Sequence, residues 1–232
     1  SEKTVINKIS VDEDDIEYVD QGEVSGRVLN QFSMDEYNDN FRIATTTGGW
    51  GGGNLNHMFV LDEDLDVVGK VEDLAEGERI YSVRFMGDRA YMVTFRQIDP
   101  LFVLDLSDER EPRVLGFLKV TGYSSYLHPY DENNIIGIGM EANEQGRVSG
   151  LKVALFDVSD VANPKEKAKF VIENYSSSSA LYDHKAFLFD RDKNLLVIPI
   201  YVYDYALYRN SWNGAYIFHI DGSELRLKGK VT

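Results

Sequence analysis

Two histidines and one aspartate are the side chains of this sequence best suited to binding a metal ion. Asp183 and His184 are adjacent at the start of a predicted strand, and His128 lies at the position that Arg84 occupies in another repeat. Carboxylates and imidazoles are common ligands of divalent cations. Because neighbouring residues of a strand point to opposite faces, Asp183 and His184 can bind one ion only where the strand begins irregularly. A divalent cation is therefore the candidate cofactor; the alternative is that these histidines are structural.

A second group of side chains could bind a ligand by stacking or by charge. It comprises aromatic residues in long connections between predicted strands, and arginines on or beside inner strands. These candidate binding residues are Trp50, Tyr205, Tyr208, Trp212, Arg84 and Arg96. The rings could stack on a sugar or a peptide, or they could pack over neighbouring strands. The arginines could meet a ligand, or they could pair with carboxylates of the chain.

Three segments of the sequence resemble functional motifs of enzymes or calcium-binding proteins, but each lacks residues that the motif requires. The glycine-rich segment 45–54 lacks the lysine and hydroxyl residue of a phosphate-binding loop. The serines at 176–179 are not part of a nucleophile elbow, and the chain has 0 cysteines. Asp62, Asp64 and Asp66 resemble the start of a calcium loop, but Asp73 stands where that loop needs Glu, so we expect a hairpin turn. The sequence favours a protein that is not an enzyme.

The composition of the chain argues against two classes of partner, nucleic acids and the membrane interior. The 232 residues include 24 Lys and Arg against 39 Asp and Glu, which gives a formal net charge of -15. Such a charge repels phosphate backbones, so we expect no nucleic-acid partner. The sequence has no apolar run approaching the ~18 residues of a membrane-spanning helix, so we expect no membrane insertion of this segment. With 43% hydrophobic residues, the chain can form a folded core.

The elements that must position these residues are repeated β-hairpins. Four segments share a hydrophobic run that ends near Asp, a polar turn, and a second hydrophobic run. These hairpins are 58–71, 102–118, 154–172 and 216–229. Each follows another predicted hairpin, in which segments 35–39, 87–88, 131–133 and 190–193 form the turns. The repeated unit is therefore four antiparallel strands.

The spacing of the repeats predicts the fold. The corresponding positions 62, 105, 157 and 219 are separated by 43, 52 and 62 residues. Propeller blades repeat about every 40–50 residues, and the interval grows here because the connections lengthen while the strands do not. We predict an all-β chain, a β-propeller with four four-stranded antiparallel blades and the outer hairpin of a further blade. The hairpin is residues 1–27, and the blades of this one domain are 28–77, 78–121, 122–175 and 176–232. Because an open ring exposes a strand edge, we expect a fragment completed by further blades or by self-association.

Propeller geometry separates long connections from short turns. Within each predicted blade, the connection between the second and third strands emerges on the face that we call the top, together with the connections between blades. The top connections are long, namely 45–54, 141–150, 174–184 and 201–214, whereas the bottom turns are short and acidic. Since binding residues concentrate on loops held by a rigid scaffold, the sequence predicts a binding site on the top face.

Several strings of this sequence resemble a known family along essentially the whole chain. They lie at 28–34, 42–47, 81–85, 102–107, 123–130, 155–159 and 183–187. The sequence resembles the secreted β-propeller-domain family of archaea and bacteria, which is distantly related to WD-repeat propellers. The resemblance implies an exported or surface-exposed domain, in longer chains with more blades on the N-terminal side. It supplies no catalytic residues.

Three functional hypotheses follow. The first is a non-catalytic extracytoplasmic module that binds a ligand or a protein through its top-face loops. The second is a metal-dependent hydrolase whose channel-bound cation is held by Asp183, His184 and His128, for which the only argument is analogy with other propellers. The third is a structural surface or assembly component that associates blade to blade.

Overall fold

β-Strands make up most of the described chain. The computed structural model describes residues 2–49, 52–96, 99–143, 145–173, 175–204 and 209–232, without the side chains of residues 52, 99 and 210. These residues form twenty strands and three short 3-10 turns, and none of them is in an α-helix. Within the same ranges, no helix has the length and apolar character that a membrane span requires. The predicted all-β class is confirmed.

Two compact units make up the chain, residues 1–94 with 104–115 and residues 95–103 with 116–232. The first unit begins with an antiparallel hairpin, β1 (Lys3–Asp12) and β2 (Asp15–Ser25). A sheet that we call the first sheet follows. It consists of β3 (Arg27–Val28), β4 (Met34–Tyr37), β5 (Asn40–Gly49), β6 (Gly52–Leu61) and β7 (Val67–Leu74). Its order is β3-β5-β6-β7, and β4 also pairs with β5.

Three further sheets complete the fold. The strands of the second and third sheets pair in sequential order, whereas the first strand of the fourth sheet is divided into two segments that both pair with the next long strand. The second sheet contains β8 (Arg79–Met86), β9 (Arg89–Phe95), β10 (Asp99–Asp105) and β11 (Arg113–Val120). The third sheet contains β12 (Tyr123–Asp131), β13 (Asn134–Ala142), β14 (Val148–Asp157) and β15 (Lys165–Glu173). The fourth sheet contains β16 (Ser176–Ser177), β17 (Leu188–Asp190), β18 (Leu195–Asp204), β19 (Arg209–Ile220) and β20 (Leu225–Val231). The predicted four-stranded antiparallel units are confirmed.

One repeated backbone contact shows that the sequence repeats are equivalent in structure. The residue after each of positions 105, 157 and 219 donates its N–H to a carbonyl in the preceding hairpin turn. The three bonds are Leu106 to Asp88 (2.8 Å), Val158 to Asn133 (2.8 Å) and Ile220 to Asn194 (2.9 Å). In each of these sheets, the second hairpin is therefore hydrogen-bonded to the turn of the first hairpin at the same position. His219 occupies the position of an aspartate in the other repeats.

The first strands of the first and fourth sheets are interrupted, which the sequence prediction missed. Short 3-10 turns occupy 31–33, 179–181 and 184–186, and each begins where a side chain accepts a backbone N–H. Those capping side chains are Asn30, Ser178 and Asp183. Short polar side chains compete with strand pairing in this way, so the chain turns locally before it rejoins the sheet.

The predicted turn at 35–39 was wrong for its first three residues. Asp35, Glu36 and Tyr37 belong to β4, and the turn consists of Asn38 and Asp39, whose φ angles are 50° and 62°. Two consecutive residues with positive φ make a tight hairpin turn whose twist matches the flanking strands, and Asn and Asp tolerate that conformation best after glycine.

Each unit has its own apolar core. In the first unit, Val24 of the hairpin packs with Ile43, Phe59 and Leu61 of the first sheet. In the second unit, one continuous core joins the third and fourth sheets, with alternate residues of β14 and β18 at its centre. Burial on alternate residues is what a strand with one face against a neighbouring sheet requires.

Candidate functional site

The third sheet places four charged side chains on one face. In β14, Lys152 lies opposite Gly139 of β13, and Lys169 of β15 lies opposite Ala154. The residues Leu151, Val153 and Leu155 point to the opposite face, where they join the apolar core. Since successive side chains of a strand point to opposite faces, the side chain of Lys152 lies on the face of β14 that is turned away from this core.

Lys152 is the centre of an ion-pair network. Its side chain is 1% exposed, and its Nζ lies 3.7 Å from a carboxylate oxygen of Glu141 and 3.7 Å from one of Glu166. The ammonium also donates to the carbonyl oxygen of Thr121, whose hydroxyl donates to Glu141. A buried lysine is stable only when carboxylates and hydrogen-bond acceptors replace its hydration.

Lys169 extends the network towards solvent. Its Nζ donates to both carboxylate oxygens of Glu141 at 3.3 Å and lies 3.7 Å from Glu166. The side chain of Lys169 is 39% exposed, whereas those of Glu141 and Glu166 are mostly buried. Two lysines thus balance two glutamates, and the network reaches the surface through Lys169.

A surface cleft of about 490 Å³ opens beside this network, at the end of the third sheet where β13 connects to β14. Glu141 and Lys169 form its charged wall, together with Glu173 at the end of β15. Its other lining residues are Val148, Ser149, Val171 and Tyr175. Tyr175 is 65% exposed and Val148 is 44% exposed, so an aromatic ring and an aliphatic side chain are accessible next to a fixed pair of opposite charges.

The cleft belongs to two of the connections predicted to carry the binding site. Half of the 141–150 connection proves to be strand, because β13 continues to Ala142 and β14 begins at Val148. Tyr175 comes from the 174–184 connection. Glu141 lies within the predicted 141–150 connection, whereas the sequence analysis did not identify Lys152, Glu166 or Lys169. The available signal was a lysine inside the apolar run Leu151–Phe156.

The aromatic candidates are only partly described. Trp50, Tyr205 and Tyr208 lie outside the described residues. Trp212 lies in β19 opposite Val202, and its ring meets Tyr216 edge-on at 5.1 Å. The predicted 201–214 loop was therefore wrong for most of its length, since β18 and β19 continue as a long hairpin.

The two arginines that were predicted to bind a ligand have different surroundings. Arg84 lies in β8 with its guanidinium 4.2 Å from the centre of the Phe32 ring, as in a cation–π contact. Arg96 follows β9 directly and is exposed. Both remain predicted binding residues.

The predicted metal ligands are not gathered into one group. His184 lies in the 3-10 turn 184–186, so its predicted place in an inner strand was wrong, and Asp183 accepts the backbone N–H of Lys185 at 2.9 Å. The His128 ring is 4.7 Å from Phe187 and 5.4 Å from Phe189. Metal binding by Asp183, His184 and His128 stays a prediction.

In the described part of the chain, the one group of three ligand-type side chains within 4.8 Å is His219, Asp221 and Glu224. Ser223 holds the Asp221 carboxylate through its hydroxyl and its N–H, and these bonds keep the pKa of Asp221 well below its usual range. Arg226 donates to Glu224 at 2.8 Å. Turn hydrogen bonds and an arginine account for this group.

His57 is a histidine whose pKa is displaced by its surroundings. The ring is buried in β6, and burial lowers its pKa below the ordinary 6.5. Nδ1 accepts the N–H of Asp73 at 3.4 Å, and Nε2 lies 2.8 Å from the hydroxyl of Thr47. The backbone bond requires an unprotonated Nδ1, so the neutral ring is a structural hydrogen-bonding group.

The chain belongs to the β-propeller domain family, whose family model matches residues 1–232. The predicted propeller fold is thereby confirmed. The family assignment gives the class of protein and no activity.

Comparison with known proteins finds relatives among archaea. The chain is 43% identical over 228 residues to an uncharacterized protein of Methanocaldococcus jannaschii, covering 97% of this chain and 33% of that protein. It is 45% identical over 208 residues to an uncharacterized protein of Archaeoglobus fulgidus, covering 88% of this chain and 31% of that protein. The chain therefore spans about a third of the length of these relatives.

Among solved structures, the chain is similar to Sqt1 from Chaetomium thermophilum, with a TM-score of 0.51 and 12% sequence identity. The similarity covers 80% of this chain and 41% of Sqt1. At this level of identity, the likeness concerns the fold alone.

Proposed function

We propose that this chain is a non-catalytic binding module and that the cleft at the end of the third sheet is its ligand site. The observation that carries the proposal is the pairing of fixed charges with exposed apolar groups. Glu141 is held by three partners, so the wall of the cleft is ordered before a ligand arrives. A preformed site loses less entropy on binding than one that must be ordered by its ligand.

The side chains of the cleft suit a peptide segment that carries one positive and one negative charge. Lys169 keeps part of its ammonium exposed and can meet a carboxylate, while Glu173 is exposed and can meet an ammonium or guanidinium. Tyr175 and Val148 offer a surface for an aromatic or aliphatic side chain between those charges. The extracytoplasmic location and the wider binding surface with Trp50, Trp212 and Arg96, predicted from the sequence, belong to the same proposal.

The test is a titration with short peptides. Acetyl-Lys-Phe-Glu-amide is the probe, and acetyl-Ser-Ala-Ser-amide is the uncharged control, with binding followed by nuclear magnetic resonance shifts. We expect the charged peptide to bind, and Tyr175→Ala and Lys169→Ala each to weaken binding by about tenfold, which is the effect of about 1.4 kcal/mol. Tyr182→Ala is the matched control, because Tyr182 is 81% exposed and is not one of the cleft residues.

Equal binding by the two cleft variants and the wild-type protein would reject this site. Binding of both peptides with the same affinity would reject the charge-based ligand class. Replacing Trp50 and Trp212 by alanine in the same titration tests the wider surface separately, since Trp212 is not among the cleft residues.

A further inference from the structure

Strand β7 contains a β-bulge opposite His57. Residues 56 and 58 of β6 pair with residues 74 and 71 of β7, so that Glu72 and Asp73 together lie opposite the single residue His57. A bulge of this kind disrupts the regular ladder of hydrogen bonds, bends the strand, and is common beside functional sites. The side chain of His57 thereby lies next to a backbone N–H that is out of register with β6.

The backbone around the bulge has an uncommon conformation. The φ angle of Asp73 is 59°, and that of Ala75 is 50°. Residues other than glycine seldom adopt this left-handed conformation, and they keep it only where the surrounding structure holds them in it. Residues 72–78, which we call the bulge segment, comprise the end of β7 and the connection to β8. This segment therefore depends on contacts from its neighbours.

Two adjacent side chains of β6 supply such contacts. The amide of Asn56 donates to the carbonyl oxygens of Leu74 at 3.0 Å and of Glu78 at 3.2 Å. The ring of His57 accepts the backbone N–H of Asp73 on Nδ1 at 3.4 Å. The asparagine contact does not change with pH, whereas an imidazole gains a proton near neutral pH. The bulge segment is thus held by one permanent contact and by one that protonation can remove.

The second ring nitrogen determines where the ring carries its proton. Nε2 of His57 lies 2.8 Å from the hydroxyl oxygen of Thr47. Because Nδ1 accepts from Asp73, the neutral ring carries its proton on Nε2 and donates it to Thr47. Protonation adds a second proton on Nδ1, which then points at the N–H of Asp73. Two donors cannot form a hydrogen bond with each other, so the charged ring loses its bond to the bulge.

Burial is the main influence on the charge of this ring. The His57 side chain is 4% exposed, and burial keeps its pKa below the ordinary 6.5. Charged residues of β7 act on it as well, since Glu72 and Asp73 favour the protonated ring and Lys70 opposes it. A charged imidazole is therefore stable here only when the bulge opens and water reaches the ring.

Two further elements lie beside the ring. Thr45 of β5 pairs with His57 and donates its hydroxyl to the carbonyl oxygen of Ser25, at the end of β2. Residues 43–49 of β5 and residues 24–26 carry no charged side chain. Glu23 and Arg27, which flank residues 24–26 in the chain, are about half exposed and form ion pairs with other residues. The charges that act on the ring are therefore those of β7.

We propose that His57 is a pH-dependent switch that controls the bulge segment. While the ring is neutral, it holds the N–H of Asp73 and the segment is closed. When the ring is protonated, this bond is lost and the end of β7 opens together with its connection to β8. The carboxylates of Glu72 and Asp73 are exposed and stabilise the charged ring once the segment has opened. The switch uses none of the residues of the ligand cleft and is independent of the proposed ligand site.

The direction of the switch follows from proton linkage. The open form binds a proton with the ordinary pKa of 6.5, whereas the pKa of His57 in the closed form is lower. The ratio of open to closed molecules therefore rises as the pH falls below 6.5, by up to about tenfold per pH unit. The rise ends below the pKa of the closed form, because both forms are then protonated.

Amide hydrogen exchange of the whole chain, followed by nuclear magnetic resonance, is the first test. From about pH 7 to about pH 5, we expect the protection factor of the Asp73 amide to fall by about tenfold or more. It should stay below that of Ile43, a fully buried residue of β5, because the segment opens without unfolding the sheet. Unchanged protection of Asp73, or protection equal to that of Ile43, would overturn the proposal.

A matched pair of variants assigns the effect to one histidine. Asparagine places an acceptor close to the position of Nδ1 but does not titrate, so His57→Asn should abolish the pH dependence at Asp73. His219→Asn is the control, because it removes another partly buried histidine that does not contact the bulge segment, and it should leave the pH dependence unchanged. A pH dependence that persists in His57→Asn would contradict the proposal.

The ring itself provides a measurement that needs no variant. In protein with isotope-labelled histidine, the signals of His57 should show an unprotonated Nδ1 at neutral pH and a titration midpoint below 6.5. The amide signal of Asp73 should shift with the same midpoint. A neutral ring with its proton on Nδ1, or an Asp73 amide that does not follow the ring, would overturn the proposal.

Discussion

Single charged residues inside apolar strands organise both units. Arg42 is 2% exposed in β5 and binds both carboxylate oxygens of Asp35, at 2.7 and 2.6 Å. Its remaining terminal nitrogen donates to the carbonyl oxygen of Gly87 at 2.6 Å, and Tyr37 and Phe85 lie against the guanidinium. The planar fork of arginine serves all of these partners at once, which lysine cannot do.

Arg42→Ala should therefore lower the free energy of unfolding by about 3 kcal/mol, since it leaves Asp35 without its partner. Arg42→Lys should recover only part of this loss. Arg110→Ala is the control, with an expected change within about 0.5 kcal/mol, because the Arg110 side chain is 77% exposed. Urea denaturation measures all three variants. Equal stability of the lysine variant and the wild type would show that charge alone matters at this position.

At the residue scale, sequence alone predicted little of the candidate site. The residue types best suited to chemistry, Asp183, His184 and His128, are not brought together, because a 3-10 turn and an aromatic cluster place them separately. Lys152 and Glu166 meet only through strand register, and register depends on pairing across the sheet rather than on local sequence. A lysine in an apolar run was the signal that could have indicated the network.

At the scale of elements, strands were predicted well and their ends poorly. Alternating apolar residues and polar turns located each hairpin, because that pattern is local. Gly49 and Gly52 remain in strands β5 and β6, where cross-strand pairing overrides the preference of glycine for turns. The 3-10 turns were not predicted, because each of them begins at a single capping side chain rather than at a change in the apolar pattern.

The turns after positions 105 and 157 are stabilised by the same pair of hydrogen bonds between an aspartate and a serine. Asp157 accepts the hydroxyl of Ser159 at 2.6 Å and its N–H at 3.0 Å, and Asp105 and Ser107 make the same bonds. The Ser159 hydroxyl is the main cause that holds the pKa of Asp157 below its ordinary 3.8. A lowered carboxyl pKa stabilises the fold above that ordinary value, and the stabilisation is lost as the pH falls.

Ser159→Ala should cost about 1 kcal/mol of unfolding free energy at pH 7, the usual contribution of one hydrogen bond. The difference from wild type should shrink as the pH falls below 3.8, because the protonated Asp157 no longer gains from the bond. Urea denaturation at neutral and acidic pH measures it, and Ser10→Ala at an exposed strand position is the control. A pH-independent difference would show that the hydroxyl acts through packing rather than through the carboxylate.

At the scale of the whole molecule, the repeat period predicted the fold class, because four similar four-strand units leave few architectures. The net charge of -15 is the other property of the whole chain that sequence supplies directly. Acidic residues crowd the hairpin turns, as in Asp12–Asp15 and Asp62–Asp66, and like charges repel most strongly when the chain is compact. Salt screens this repulsion and weakens exposed ion pairs at the same time.

Repulsion should outweigh attraction here, because carboxylates outnumber cations and the ion pairs of Arg42 and Lys152 are buried from screening. Sodium chloride should then raise the free energy of unfolding by about 1 kcal/mol between low and moderate ionic strength, a rise in Tm of about 2–4 °C for a chain of this length. Thermal denaturation at fixed pH and low protein concentration measures it. Asp14→Lys/Asp64→Lys, which removes charge from two exposed turns, should reduce the salt dependence. A Tm that falls with salt would mean that attractive pairs at the surface dominate the electrostatics of the fold.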